Sequence, residues 1–326
     1  MSHTSPQPSG ALAGDNLEIS IVVPAYDDNR FHDLVDLIDS IRAQQRTLEL
    51  VLVIEKSQPL RDKLTAHLEN AQVRHKILFG LDRMGLAAAR NIGAKESSGP
   101  VVAFVDDDAV LSSDWSLRLI NVFKDHPEII GVTGEVLPLW VGEPLNWFPQ
   151  SLYWAIGCTA WRERARKAVG YEVAGVNMAF RKEAFSYALF SDKFTDGFGF
   201  RGKQGLTGDD VDFSLRLRRV TNRKILYTRN LRVYHKVYPY KTTVQYIRRY
   251  SFWQGMSEAR YTQLYGGTSR QNSRYSVFIG LSRDFFQITP ETKKRVGVML
   301  AFLVFGLMGY LSYQNKLLER LATRLL

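Results

Sequence analysis

Two acidic groups carry the residue types most suited to chemistry. Phe104 and Val105 end an apolar run that passes directly into Asp106-Asp107-Asp108. A second group, Gly208-Asp209-Asp210-Val211-Asp212, opens a helix-like segment with apolar positions at Val211, Phe213, Leu215 and Leu217. Adjacent carboxylates repel, and each resists ionisation unless a cation sits among them. Clustered carboxylate oxygens suit Mg²⁺ or Mn²⁺, which bind through one or two carboxylates together with substrate phosphates. One acid of the second group has the chemistry of a general base for an attacking hydroxyl. Each group also has a plainer reading. The first can be a solvated turn before a helix capped by Ser112, Ser113 or Asp114, and the second a set of acids complementing a helix dipole. It is their occurrence together that favours a shared site.

The elements that must position these acids alternate in type. Glu18 to Tyr26, Leu48 to Glu55, Val73 to Phe79 and Pro100 to Asp108 read as strands. Between them lie helical periods at Leu34, Leu37, Ile38 and Ile41, at Leu60, Leu64 and Leu68, and in GLAAARNIGAKE. Apolar strands alternating with helices imply βαβ units and a parallel sheet covered on both faces. Ligands collect at the carboxyl ends of such strands, where the Asp106 group stands. Beyond residue 110 the order becomes mixed, with a helix after Trp115, a strand near Ile129 to Leu137, an aromatic stretch to Trp161, a strand in VAGVNMAF and a helix from Asp209. There is no internal repeat. Trp140, Trp147, Trp154 and Trp161 recur every seven residues; a buried or membrane-facing stripe is the default for that spacing, and sugar stacking the lesser reading.

Composition bounds the rest. The 326 residues are 45% hydrophobic and 23% charged, which excludes a disordered, collagen-like or coiled-coil chain. A single cysteine, Cys158, excludes an internal disulfide framework or a Cys-rich zinc site. The net charge of +10 is local: Phe213 to Ser257 holds eleven Lys and Arg and no acid. That stretch points to phosphate groups or acidic lipid headgroups. No zinc, helix-turn-helix or RNA-recognition signature accompanies it, so no nucleic-acid partner is expected. Residues 1–16 are rich in Ser, Pro and Gly without a signal-peptide pattern, and read as a disordered cytoplasmic tail. Val296 to Tyr313 is free of charge and follows Lys293-Lys294-Arg295. It is a candidate transmembrane helix, with a buried core helix, a re-entrant segment or a surface-lying segment as the alternatives. The basic residues on both sides of it leave its orientation open.

Five segments, ISIVVPAY, GLAAARNIGA, AFVDDDAV, AGVNMAFRKEAF and GDDVDFSLRL, taken in this order and spacing, resemble the inverting glycosyltransferases of family 2 over roughly residues 18 to 260. DDDAVLSSDW, LPLWVGEPLNWFPQSLYWAIGCT, VYHKVYPYKTT and RRYSFWQGMSEA are similar to the archaeal membrane-associated branch that adds hexose or hexuronic acid to dolichyl-phosphate-linked glycans.

The resemblance implies an α/β GT-A fold with a mixed, mainly parallel sheet. It divides the chain into a nucleotide-sugar half, 17–110, an acceptor half, 111–262, and a membrane-associated region, 263–326. It also implies roles. Ala25 and Tyr26 would border the nucleotide base, and Glu55 stands where many relatives carry Asp to meet a uracil ring. Arg90 would approach the diphosphate. Asp106 would meet the ribose and Asp108 the divalent cation, Mg²⁺ or Mn²⁺, with Asp107 able to substitute in either role. Asp209 replaces the family's Glu, and Asp210 matches the base. His235 would lie near metal or diphosphate, or else be structural. Gln245, Arg248, Arg249 and Trp253 would close over donor and acceptor, with Arg249 in place of the family's tryptophan, or form an amphipathic helix on anionic lipid. The expected partners are a nucleotide-sugar donor, probed first as a UDP-sugar, a lipid-linked glycan acceptor and a membrane, with the catalytic domain facing the cytoplasm. Another cell-surface polysaccharide or glycolipid as acceptor and a catalytically inactive tethered module are the alternatives. Nucleotidyl transfer is disfavoured because VVPAYDDNRF contains no glycine for a phosphate loop.

Overall fold

The computed structural model describes residues 18–46, 48–69, 71–80, 84–159, 173–191, 208–266, 291–313 and 315. The expected tail 1–16, Trp161 and the segment from Lys316 onward lie outside the described residues. Among those described, eight strands form one sheet: β1 (Ile19–Ala25), β2 (Leu48–Glu55), β3 (Arg74–Gly80), β4 (Val101–Val105), β5 (Ala109–Leu111), β6 (Gly131–Trp140), β7 (Asn177–Arg181) and β8 (Ile225–Val237). Their order is β3-β2-β1-β4-β7-β6-β8-β5. β1 is parallel to β2 and β4, β2 to β3, and β6 to β8, while β7 is antiparallel to both β4 and β6, and β5 to β8.

Alternation along β1 explains the layers. Ile19, Ile21 and Val23 face one core with Leu34, Leu37, Ile38 and Ile41 of α1 (Phe31–Arg42), Leu60 and Leu64 of α2 (Gln58–Leu68), and Trp115 and Leu119 of α4 (Trp115–Asp125). Val22 faces the other core, with Ala87 and Ala89 of α3 (Leu86–Glu96), Phe185 of α5 (Ala184–Tyr187), and Phe213 and Leu217 of α6 (Asp209–Thr221). Helices on both faces favour apolar side chains in the strands between them, which is why β1, β2 and β4 are legible as largely apolar runs.

β7 extends the sheet by pairing antiparallel with β4, and a polar junction on it gathers elements that follow β4 in the chain. The buried Asn177 side chain accepts a hydrogen bond from Trp115 Nε1 (3.1 Å) and donates to the Glu135 and Leu231 carbonyls (3.1 and 2.9 Å). It thereby ties β7 to α4, β6 and β8.

Two strands depart from the sequence expectation. His235 lies inside the 13-residue β8, and β5, with three residues, has no period that would mark it in the sequence. β8 alternates buried positions with outward Arg229 and Arg232, so its polarity hides its period. The tryptophan spacing is not a helical stripe: Trp140 ends β6, Trp147 lies in a loop and Trp154 in a 3-10 turn (Gln150–Ile156), all half-buried against the core.

Two long helices complete the structure, α7 (Val244–Tyr265) and α8 (Thr292–Ser312). α8 is long and apolar enough to cross a membrane by length and composition. It is packed along α7. A Cβ on Gly309 would meet the Phe252 carbonyl oxygen at 1.9 Å, and one on Gly255 the Gly306 carbonyl oxygen at 2.0 Å, so glycine lets the two backbones touch.

At the opposite end of β2 from Glu55, Glu49 is fully buried as a charge. Its carboxylate accepts from Ser20 Oγ (2.6 Å) and Ser98 N (2.8 Å), and Lys76 Nζ lies 3.0 Å away. Burial opposes ionisation, yet these partners hold the carboxyl down to about 2. Relative to its ordinary value of 4.5, that depression is worth about 3 kcal/mol of stability at neutral pH. The sign follows: the contribution is present above pH 4.5 and is lost as pH falls towards about 2. Glu49→Gln should therefore lower the urea midpoint at pH 7, and the gap to the parent protein should shrink steadily on acidification.

Candidate active site

The carboxyl ends of β1, β2 and β4 open on one edge of the sheet, and Asp106, Asp107 and Asp108 follow β4 there. The chain then turns, with Ala109 N donating to the Asp106 carbonyl (3.2 Å), and enters β5. β5 pairs with β8 so that Ala109 lies opposite His235, and Lys236 N donates to the Asp108 carbonyl (2.9 Å). This register brings His235 Nε2 to 3.0 Å from Asp108 Oδ1. Asp106, Asp108 and His235 each offer one ligand atom, all within 4.8 Å of one another.

Histidine geometry tests whether a metal fits. Nδ1 faces the Ile156 carbonyl at 3.0 Å and so carries the ring hydrogen, which leaves Nε2 aiming its lone pair at Asp108 unless a second proton joins it. Such a contact is satisfied by a cation bound to both atoms or by a second proton on the ring, and a divalent ion fits the first case. Asp108 Oδ2 also meets Arg30 Nη1 (3.1 Å) and Lys241 Nζ (3.3 Å), and Lys241 Nζ lies 3.4 Å from His235 Nε2. Burial works against the Asp108 charge, but His235, Lys241 and Arg30 hold its carboxyl far below the usual range. Asp107 is favoured as an ion by Arg30, but not enough to outweigh its surroundings. Burial and the neighbouring Asp108 push it up to about 8.

Arg90, buried on α3, joins the two acidic groups. Its Nη1 donates to Asp209 Oδ2 at 2.6 Å and its Nη2 lies 3.7 Å from Asp106 Oδ1. Desolvation opposes its charge, and Asp209, Asp106 and Asp210 outweigh that. Beside it, Asp210 Oδ2 accepts from Gly175 N (2.8 Å) and Oδ1 from Val211 N (2.8 Å). Burial and the Asp209 charge push Asp210 up to about 6, with Arg90 and the two backbone N–H groups opposing. Asp106, Asp108 and His235 thus offer oxygen and nitrogen donors of the kind that hold a divalent ion, among the cations Arg30, Arg90 and Lys241.

The remaining sequence candidates fall into two sets. Ala25 is buried at the end of β1 and Tyr26, just beyond it, is exposed. The Glu55 carboxylate accepts from Met84 N (2.6 Å) and Gly85 N (2.8 Å), so it caps the start of the helix that carries Arg90. Arg248, Arg249 and Trp253 lie on α7. The Arg248 guanidinium sits 4.5 Å from the centre of the Phe305 ring of α8, Arg249 is exposed, and Trp253 is buried in a cluster with Phe252 and Met256 against Phe305, Met308 and Tyr313. The structure turns Arg248 and Trp253 towards α8, not towards the carboxylates.

Sequence reasoning missed Arg30, Lys241 and their supports. Asp33 binds Arg30 (2.9 Å), Lys236 (2.8 Å) and Tyr238 (2.7 Å), and those partners hold its carboxyl low despite burial. The acid-free basic stretch contains Lys236 and Lys241, but nothing in their spacing marks them as inward-facing.

The family model described as glycosyl transferase family 2 matches residues 20–188, more than half of the chain. The chain belongs to this family. It is 28% identical over 264 residues to the glucosyl-dolichyl phosphate glucuronosyltransferase of Haloferax volcanii, covering 79% of this chain and 82% of that one. It is 32% identical over 117 residues to glycosyltransferase GlyA of Streptococcus pneumoniae, 35% of this chain and 16% of that one. Among solved structures it is similar to the mannosyltransferase PcManGT from Pyrobaculum calidifontis in complex with GDP-Man and Mn²⁺, at TM-score 0.57 and 14% identity over 92% of this chain and 91% of that chain. S. aureus TarS gives a TM-score of 0.50 at 13% identity, and the chain spans 55% of it. These structural likenesses establish the GT-A type of fold for this glycosyltransferase.

Gly157 tests the histidine geometry. Its φ is +80°, and a Cβ there would lie 2.6 Å from His235 Cε1. Gly157→Ala should displace the ring and weaken Mn²⁺ binding about tenfold or more, as loss of support around a metal ligand commonly does. Titration of the purified protein by electron paramagnetic resonance would read this directly.

Proposed function

We propose that the protein is an inverting, metal-dependent glycosyltransferase that moves a hexose or hexuronic acid from a nucleoside diphosphate sugar, in the first instance UDP-linked, to a polyprenyl- or dolichyl-phosphate-linked glycan. The observation that carries this reading is the buried Arg90 bridge, which draws the acids after β4 and the acids opening α6 into one cleft. The 28% identity to a glucosyl-dolichyl phosphate glucuronosyltransferase supports the acceptor class. We place the donor in the half 17–110, the acceptor in the half 111–262, and the catalytic domain on the cytoplasmic side of a membrane.

Asp106, Asp108 and His235 would hold Mg²⁺ or Mn²⁺, which as a Lewis acid offsets charge on a departing diphosphate. Arg90 presents a buried guanidinium whose Nε has no hydrogen-bond partner among the described residues, a donor suited to a phosphate oxygen. Asp210 accepts the proton of the attacking acceptor hydroxyl. Its two oxygens are fixed by Gly175 N and Val211 N, so the base is oriented before the acceptor arrives. Asp209 holds Arg90 in place and keeps the proton affinity of Asp210 raised. Attack on the anomeric carbon from the face opposite the leaving group inverts its configuration. The bond to the diphosphate breaks as the new glycosidic bond forms.

Removing the base should separate chemistry from binding. Asp210→Asn is expected to retain donor affinity by calorimetry while losing at least about a hundredfold in turnover. Near-normal turnover would sink the assignment. Because protonated Asp210 cannot accept a proton, turnover in the parent protein should fall about tenfold per pH unit below about 6, and a flat profile down to pH 5 would contradict that role.

A further inference from the structure

Among the described residues α8 has an exposed apolar face, and its other faces say how that face must be oriented. Its 21 residues would reach roughly 31 Å, enough to span a bilayer. Yet the helix is not free to do so. It runs beside α7 from Gly297, whose nearest neighbour there is Val244, through the glycine contacts at Gly306 and Gly309, to Tyr313, whose hydroxyl donates to Gln263 Oε1 at 2.9 Å. α7 in turn belongs to the catalytic fold, with Ile247 in the main core and the Tyr261 hydroxyl bonded to the Gly208 carbonyl beside Asp209. It also carries Arg248, Arg249, Glu258 and Arg260, side chains that are expensive in hydrocarbon. At its start, buried Arg295 donates to the Trp147 carbonyl (2.8 Å) and the Asn146 carbonyl (3.3 Å), which pins the first turn of α8 to the domain. Crossing a bilayer would require α8 to leave all these contacts or to drag charged residues in with it.

Among the described residues of α8, Leu300, Leu303, Val304, Leu307, Tyr310 and Leu311 are exposed, Leu307 most at 61%, and their spacing places them on one side of the helix. Exposed Lys293 lies seven residues before Leu300 on the same side, next to exposed Lys294. An apolar row continuing from lysines is the surface of a helix that lies in a lipid interface.

We propose that α8 docks flat on an anionic membrane surface, its Leu300–Leu311 row in the acyl boundary and Lys293 and Lys294 among the headgroups, and does not span the bilayer. This deepens the lipid-linked-acceptor reading by fixing how the domain meets its membrane.

The test uses the full-length chain and vesicles of phosphatidylcholine with phosphatidylglycerol. Cys158 is buried and is the sole cysteine, so single introduced cysteines report one position each. An environment-sensitive fluorophore on Leu300→Cys, Leu307→Cys and Leu311→Cys should enter lipid at similar shallow depth, with the three positions quenched to the same extent. A membrane-impermeant maleimide should label Lys294→Cys and Asn315→Cys from the same side of sealed membranes. Leu307→Glu should weaken vesicle binding at least tenfold with an unchanged melting temperature and an unchanged rate of donor hydrolysis. Labelling of the two ends from opposite sides, or a deep Leu307 between shallow ends, overturns the flat arrangement. A parent chain that ignores vesicles and forms a dimer that Leu307→Glu dissociates assigns the row to a second copy and overturns it as well. Failure of the lipid-linked-acceptor reading is scored separately, by transfer to a lipid-linked acceptor compared with a short water-soluble one.

Discussion

A buried guanidinium between two sets of carboxylates is the interaction on which the site depends. Arg90 reaches Asp209 and Asp106 at once, from a helix that neither acid belongs to. Acids gathered this closely and partly buried would repel one another and resist ionisation. A cation already inside the protein makes the gathering tolerable, and the cost of burying that cation is offset only because the acids surround it. Each group therefore requires the other. The fold cannot keep Arg90 buried without Asp209, and cannot hold the α6 acids near the end of β4 without Arg90.

Backbone register does the equivalent work on the other side of the cleft. Pairing of Ala109 with His235 across β5 and β8 sets the imidazole against Asp108, and a shift of one residue would turn His235 to the opposite face. The Ile156 carbonyl then fixes which ring nitrogen carries the hydrogen, while Gly157, with no side chain, leaves room for the ring. Arg30 and Lys241 complete the enclosure of Asp108, and Asp33 orients Arg30. The geometry of the site thus rests on strand pairing as much as on the identity of the acidic and imidazole side chains.

Much of this could be read in the chain because the relevant signals are local. β1, β2 and β4 are covered on both faces and read as largely apolar runs, and the acids follow them directly. β8 escaped notice because one face carries Arg229 and Arg232, and β5 because three residues show no period. Partners such as Lys241 and Asp108 are 133 residues apart, and only the register of β5 on β8 brings their segments together. Trp253 misled for the converse reason. Its place beside arginines on α7 looks like a binding element, whereas the touching backbones of α7 and α8 enclose the indole. Tertiary contact between two helices distant in sequence leaves no mark on either one alone.

The segment from Asn146 to Ile156 is a strap fastened at both ends. One end receives Arg295 of α8 through the Asn146 and Trp147 carbonyls, and Trp154 further along meets Phe302 at 5.4 Å between ring centres. The other end, the Ile156 carbonyl, holds His235. A displacement of either fastening is a displacement of the strap, so occupancy at the imidazole and contact at the outer helix share one mechanical element. Linkage makes any such coupling reciprocal: the factor by which one event strengthens the other is the factor returned.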